Sequence, residues 1–64
     1  MSTATKQGAF LVYPIAPLDE PDYEVWAREH VARTFPRCEF VDVVSQRQVG
    51  HRYVQLTVRI RRTS

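Results

Sequence analysis

Gly50–Arg62 reads GHRYVQLTVRIRR, and from Tyr53 onward it alternates without a fault. Val54, Leu56, Val58 and Ile60 fall on one face of an extended chain, while Tyr53, Gln55, Thr57, Arg59 and Arg61 fall on the other. Such a stretch predicts a strand with one side in a core. Burying each of its four aliphatics contributes roughly 1.5–3 kcal/mol, so the rest of the chain has to supply an apolar cover and hydrogen-bonding neighbours.

Working outward, Val49 and Gly50 predict a turn, and Cys38–Gln48 (CEFVDVVSQRQ) predicts the strand that enters it. Its phase is less clear: simple alternation places Phe40 and Val44 on one face and Val41 and Val43 on the other. The cover is Leu18–Pro36. Asp19 is positioned to cap a helix, Pro21 is tolerated in a first turn, and Asp22 and Glu24 suit the positive end of the dipole. The helix is expected from Glu20 to Phe35, ending before Pro36. Tyr23, Trp26, Ala27, His30, Val31 and Thr34 recur at helical spacing as the stripe facing the sheet, with Glu24–Arg28 and Glu29–Arg33 as outer ion pairs. Further back, Ala9–Pro17 (AFLVYPIAP) predicts a strand whose pairing weakens from Pro14 onward. Residues 1–7 are small and polar and predict a flexible tail, leaving 8–64 as a single domain.

The resulting order is β-α-β-β: an α+β fold with one helix on a three-stranded, antiparallel-dominated sheet, a right-handed first crossover and strand order 1-3-2. It is a partial ferredoxin-like architecture. A 64-residue chain buries only about 60% of the surface it exposes when unfolded, so its stability depends on help from elsewhere. The single cysteine, Cys38, excludes an intrachain disulfide, and His30, His51 and Cys38 are not at metal-pairing spacings. A body of this size has a radius of gyration near ~11 Å, whereas a ten-residue strand spans about 33 Å. The hairpin is therefore expected to overhang its core, and the fold to be completed by homodimerisation through Phe10, Val12 and Ile60. No apolar run is long enough to cross a bilayer or to act as a signal peptide, so the expected location is cytoplasmic.

Tyr13-Pro14-Ile15 after the first apolar run, Phe35-Pro36 closing the helix, Val41 and Val43, and Gly50–Tyr53 leading into Leu56-Thr57-Val58 carry a family likeness. Over residues 10–64 the chain resembles the YbeD-like family, small bacterial proteins of ferredoxin-like β-α-β-β-α-β fold associated with regulation of lipoic acid metabolism. The resemblance implies a regulatory role. The family carries Lys-Val-Met-Gly where this chain has Ala16-Pro17-Leu18-Asp19, and it continues into a second helix and a fourth strand.

Charge narrows the function classes. Residues 1–32 carry −3 (Lys6 and Arg28 against five acids) and residues 33–64 carry +5 (seven arginines against Glu39 and Asp42), giving the net +2. Arginine without lysine in the second half favours planar, bidentate or stacking contacts, or else strand arginines paired with acids across the sheet. Cys38 with His30 or His51 lacks a third, orienting group, so no enzyme is expected. The acids Asp19, Glu20 and Asp22 are accounted for by a helix N-terminus without any metal, and no cofactor is implied. The expected function is a small binding or regulatory module, a homodimer, that meets a protein partner through Tyr53, Gln55, Thr57, Arg59 and Arg61. Two alternatives remain. One is a single-stranded RNA- or DNA-binding module that uses Tyr53 and the arginines, since Gly50–Leu56 shares a glycine, an aromatic and a valine with the sheet motif of RNA-recognition domains. The other is a small phage-type inhibitor or adaptor of a host protein.

Overall fold

The computed structural model describes residues 8–63. The tail expected over residues 1–7 lies outside them, as does Ser64. The elements are β1 (Ala9–Val12), β2 (Ile15–Pro17), α1 (Tyr23–Thr34), β3 (Cys38–Val49) and β4 (Tyr53–Arg62). The molecule is α+β, with one helix and an antiparallel sheet of four strands. β4 is central: β1 and β2 both pair with one of its edges and β3 with the other.

The strand expected over Ala9–Pro17 is thus two strands, and the reason is Pro14. The register with β4 runs through the gap without a slip, from Val12 opposite Val58 to Ile15 opposite Gln55. Pro14 has no N–H to give, yet its carbonyl still accepts from the Leu56 N–H at 2.9 Å. The interruption therefore removes one donor and leaves the chain path straight. Beyond β2, the Leu18 N–H continues the ladder by donating to the Arg52 carbonyl at 2.8 Å.

Two bulges in β3 explain its unclear phase. Phe40 pairs with Ile60, Asp42 with Arg59, Val43 with Val58 and Ser45 with Thr57, so Val41 and Val44 are the extra residues. Each bulge turns the following residue to the opposite face. Phe40 and Val43 consequently share the core side, correcting the expected pairing of Phe40 with Val44. Val41 and Val44 are left exposed.

Helix α1 starts later than expected. Asp22, not Asp19, is the N-cap: one of its carboxylate oxygens accepts from the Glu24 and Val25 N–H groups at 3.0 and 3.2 Å. A residue preceding proline is held out of the helical region, so Glu20 cannot begin the helix and Pro21 stands just outside it. Asp19 sits in a turn, in which the Glu20 N–H donates to the Pro17 carbonyl. Glu24 and Arg28 pair at 2.7 Å on the helix surface. The pair expected between Glu29 and Arg33 does not form among the described residues.

The core is Ala16, Ala27, Val31, Val54, Leu56, Val58 and Ile60, with Val12, Tyr23, Trp26, Phe35, Cys38, Phe40 and Val43 packed around it. Ala27 and Val31 are the buried part of the predicted helix stripe; Thr34 is exposed. A helix of 12 residues is about 18 Å long, close to the roughly 20 Å that Val54–Ile60 spans along β4. That match sets where the core begins and ends. The longest dimension of the molecule is nevertheless 47 Å and its radius of gyration 12.9 Å, above the ~11 Å of a compact body. The sheet supplies that length, since β1, β2 and β3 all run along β4 between Tyr53 and Arg61. No helix among the described residues is long and apolar enough to cross a membrane.

Leu56 has no exposure at all and lies in the centre of this core. Leu56→Ala is expected to cost about 2–5 kcal/mol, enough to leave the chain largely unfolded in urea titrations followed by circular dichroism. Gly50, at φ 76° with nothing within 4 Å of an added Cβ, tests the turn alone: Gly50→Ala should cost about 1 kcal/mol through backbone strain without a clash.

Candidate functional site

One face of the sheet carries the helix; among the described residues nothing packs on the other. Because directly opposed residues share a face, the register assigns the open face residue by residue. Its middle row is Tyr53, Gln55, Thr57, Arg59 and Arg61 of β4. Beside that row run Ala9 and Leu11 of β1 and Ile15 and Pro17 of β2, opposite Arg61, Arg59, Gln55 and Tyr53 respectively. On the far side are Glu39, Asp42, Ser45, Arg47 and Val49 of β3.

The five residues expected to meet a partner therefore do lie on one surface. Their chemistry differs along it. Arg59 and Arg61 are each held by an acid of β3: the Arg61 guanidinium donates to Glu39 through Nε at 3.0 Å and through a second nitrogen, and Arg59 Nε stands 3.6 Å from Asp42 Oδ1. These pairs are about half exposed, so each contributes only about 0–1 kcal/mol. Their consequence for the site is larger, since they neutralise the end of the face where the arginines gather. Nearer the turn, Arg47 and Arg52 make no ion pair among the described residues.

Between these ends the middle row is polar, with Gln55 and Thr57, and the strip along β1 and β2 is apolar and aromatic. Leu11, Tyr13, Ile15 and Tyr53 are 43%, 55%, 46% and 53% exposed. Tyr13 flanks a shallow depression with Ser45, Arg47, Gln55 and Thr57. A second depression at the turn end is lined by Pro17, Leu18, Asp19, His51, Arg52 and Tyr53. Leu11, Tyr13, Ile15 and Arg47 were missed by sequence reasoning. Ala9–Pro17 is apolar at nearly every position, so no polar residue marks which positions face out.

The residues expected at a dimer contact separate. Ile60 is fully buried in the chain's own core and opposes Phe10 and Phe40 within the sheet, so it has no surface to offer another copy. Phe10 is 42% exposed and Val12 half-buried, both at the outer edge of the sheet on its helix-bearing side.

Outside this face, Trp26 and His30 stack one helical turn apart, with ring centroids 5.0 Å apart and planes 12° from parallel. Arg28 lies over the Phe40 ring, its central carbon 4.9 Å from the centroid, closing the helix onto β3. The Tyr23 hydroxyl donates to the Leu18 carbonyl at 2.9 Å and ties the helix start to the end of β2. Cys38 is half-buried at the start of β3, His30 lies in α1 and His51 in the hairpin turn. Among the described residues no group of His, Cys, Asp and Glu could hold a metal ion. The chain matches no protein-family model, no curated protein and no solved structure.

His30 provides a check on the packing. Burial, reinforced by the nearby Arg33 charge, lowers its pKa below the usual 6.5. The unfolded chain therefore binds the His30 proton more readily than the folded one. The stabilisation from neutral His30 is complete above pH 6.5 and is lost as pH falls from there through the lower folded value. His30→Gln should flatten the dependence of the urea midpoint on pH across that window, and an unchanged slope would place the ring in open solvent.

Proposed function

We propose that the protein is a small non-catalytic binding module that works as a homodimer and holds a protein partner on its open sheet face. The observation that carries this reading is the pairing of Arg59 with Asp42 and Arg61 with Glu39 beside an exposed strip of Leu11, Tyr13, Ile15 and Tyr53. A nucleic-acid platform draws its affinity from cations that neutralise phosphates. Here the two arginines best placed on the face already have carboxylates. What the face offers instead is an apolar and aromatic strip along β1 and β2 beside the polar middle row of Gln55 and Thr57, with ion pairs at one end, and aromatic anchors of this kind are what protein interfaces favour. Arg47 and Arg52 border the aromatic end, so the complementary surface carries apolar side chains flanked by carboxylates. The regulatory role that the YbeD-like resemblance implies fits a module that acts by occupying a partner's surface.

A photo-crosslinking residue introduced at Gln55, on the face, and separately at Glu29, on the exposed side of α1, tests this in cells that make the chain. The Gln55 position should yield one discrete protein adduct, through a segment of apolar residues flanked by Asp or Glu, and Glu29 should yield none. Tyr53→Ala should weaken the interaction about tenfold or more. Saturable binding of a fluorescent single-stranded oligonucleotide, steep in salt and lost on Arg47→Ala with Arg52→Ala, would instead establish the nucleic-acid reading.

A further inference from the structure

The two edges of the sheet are unequal. β3, the longer edge, is interrupted by two bulges, carries Glu39, Asp42 and Arg47, and lies under the helix. Bulges, charges and a covering element are the devices that keep an edge from pairing with another chain. Among the described residues the opposite edge is less protected: its strands are short and Pro17 has no outward N–H, but the helix touches only its β2 end. Ala9–Pro17 contains no charged residue, keeps a single register through both of its strands, and has no helix packed against β1. Phe10, Leu11, Tyr13 and Ile15 are all 42–55% exposed, so apolar side chains are open on both faces of the same edge.

The backbone groups on that edge can be assigned. Pro14 and Leu18 each make a ladder bond to β4. In an antiparallel ladder the bonded positions alternate, so Phe10, Val12, Pro14 and Ala16 point their backbone groups at β4. The N–H and C=O groups of Ala9, Leu11, Tyr13 and Ile15 point outward, away from the sheet. Pro17 also points outward but has no N–H to offer.

We propose that this edge pairs antiparallel with the same edge of a second copy, with Leu11 opposite Tyr13 and Ala9 opposite Ile15. This rests on the dimeric module proposed above and names its contact. Several positions of the two-fold axis bring outward groups face to face, and setting Tyr13 opposite Ile15 places Pro17 against Leu11, which loses a donor. Setting Tyr13 opposite itself places Pro17 against Ala9, where the missing N–H leaves a carbonyl without its bond. Setting Leu11 opposite itself sends Ile15 beyond Ala9, past the end of β1. With Leu11 opposite Tyr13, every pair exchanges both main-chain hydrogen bonds within Ala9–Ile15. On the helix-bearing side Val12 then meets its own copy at the axis and Phe10 lies against Pro14 of the second copy, covering the exposed ring. On the open side Leu11 and Tyr13 of both copies form one apolar strip, so the open faces merge into a single surface.

The test removes one hydrogen atom from the edge. A synthetic full-length chain with N-methyl-leucine at position 11 keeps the side chain and every bond to β4. It loses the outward donor, and the methyl group obstructs the approach of the second copy. The unmodified chain should sediment at twice its 7.5 kDa mass at micromolar concentration. In mixed isotope-labelled samples the Leu11 amide should show an inter-chain NOE to the Tyr13 amide. The N-methyl chain should be monomeric, its dissociation constant about a hundredfold weaker, with the β4 amides still protected from exchange. If the modified chain does not fold, Leu11→Lys, which puts like charges beside the axis, gives the same readout. An unmodified chain that stays monomeric across the micromolar range overturns the proposal. So does a dimer indifferent to the N-methyl group and to Leu11→Lys, or one dissolved by Tyr53→Ala, which would mean that open faces stack. A monomer that still crosslinks a protein through Gln55 defeats this contact alone, and a dimer of the stated register without that adduct defeats only the open-face reading.

Discussion

The structure depends on β4 being central. Its even-numbered residues Val54 to Ile60 form the core, its backbone bonds to β1 and β2 on one side and to β3 on the other, and its odd-numbered residues make the open face. One strand thus supplies the apolar interior, the hydrogen-bond spine and the middle row of the candidate site. With a single 12-residue helix as cover, burial is confined to the stretch of strand that the helix can span, and everything beyond it remains at the surface.

That shortage of cover shapes the rest of the molecule. Among the described residues no second layer lies over the open face, which is left with an apolar strip, and the first-strand edge is exposed because the helix packs mainly on β3. The protein handles its two edges differently. On β3 the bulges at Val41 and Val44 bend the strand and place acids opposite Arg59 and Arg61, so edge protection and neutralisation of the face share one cause. Pro17 lacks an outward N–H at the end of β2, and along the rest of β1 and β2 the irregularity is Pro14, whose missing N–H faces β4 rather than solvent. A proline there weakens the internal ladder by one bond and leaves the outer edge able to pair.

The arginines show how the third dimension changes a reading of charge. As a string, seven arginines after residue 32 suggest a cationic surface. In the fold, Arg59 and Arg61 lie across from Asp42 and Glu39, more than fifteen residues earlier in the chain, and the face they occupy is close to neutral. Arg28 is spent differently again, paired with Glu24 and laid over Phe40. Among the described residues, Arg47 on the face and Arg52 in the turn beside its aromatic end make no ion pair.

Several features were legible in the residues alone. Strict alternation in β4 gave its buried and open faces correctly, and helical spacing identified Ala27 and Val31 as the helix's contribution to the core, because both patterns follow from local backbone geometry. The turn at Gly50 and the helix stop before Pro36 followed from residues with restricted or unusual dihedral preferences. Tertiary structure decided the rest. The phase of β3 depends on two bulges, which arise from fitting a long strand against β4 and the helix and have no local signature among Val41, Val43 and Val44. Ile60, apolar and near the chain's end, looked available for a second copy, but only the pairing of β1 and β3 on either side of it shows that the molecule's own sheet encloses it. The apolar run Ala9–Pro17 states that it is a strand; which of its side chains and backbone groups face outward is set by its register with β4, a contact some fifty residues away in the chain.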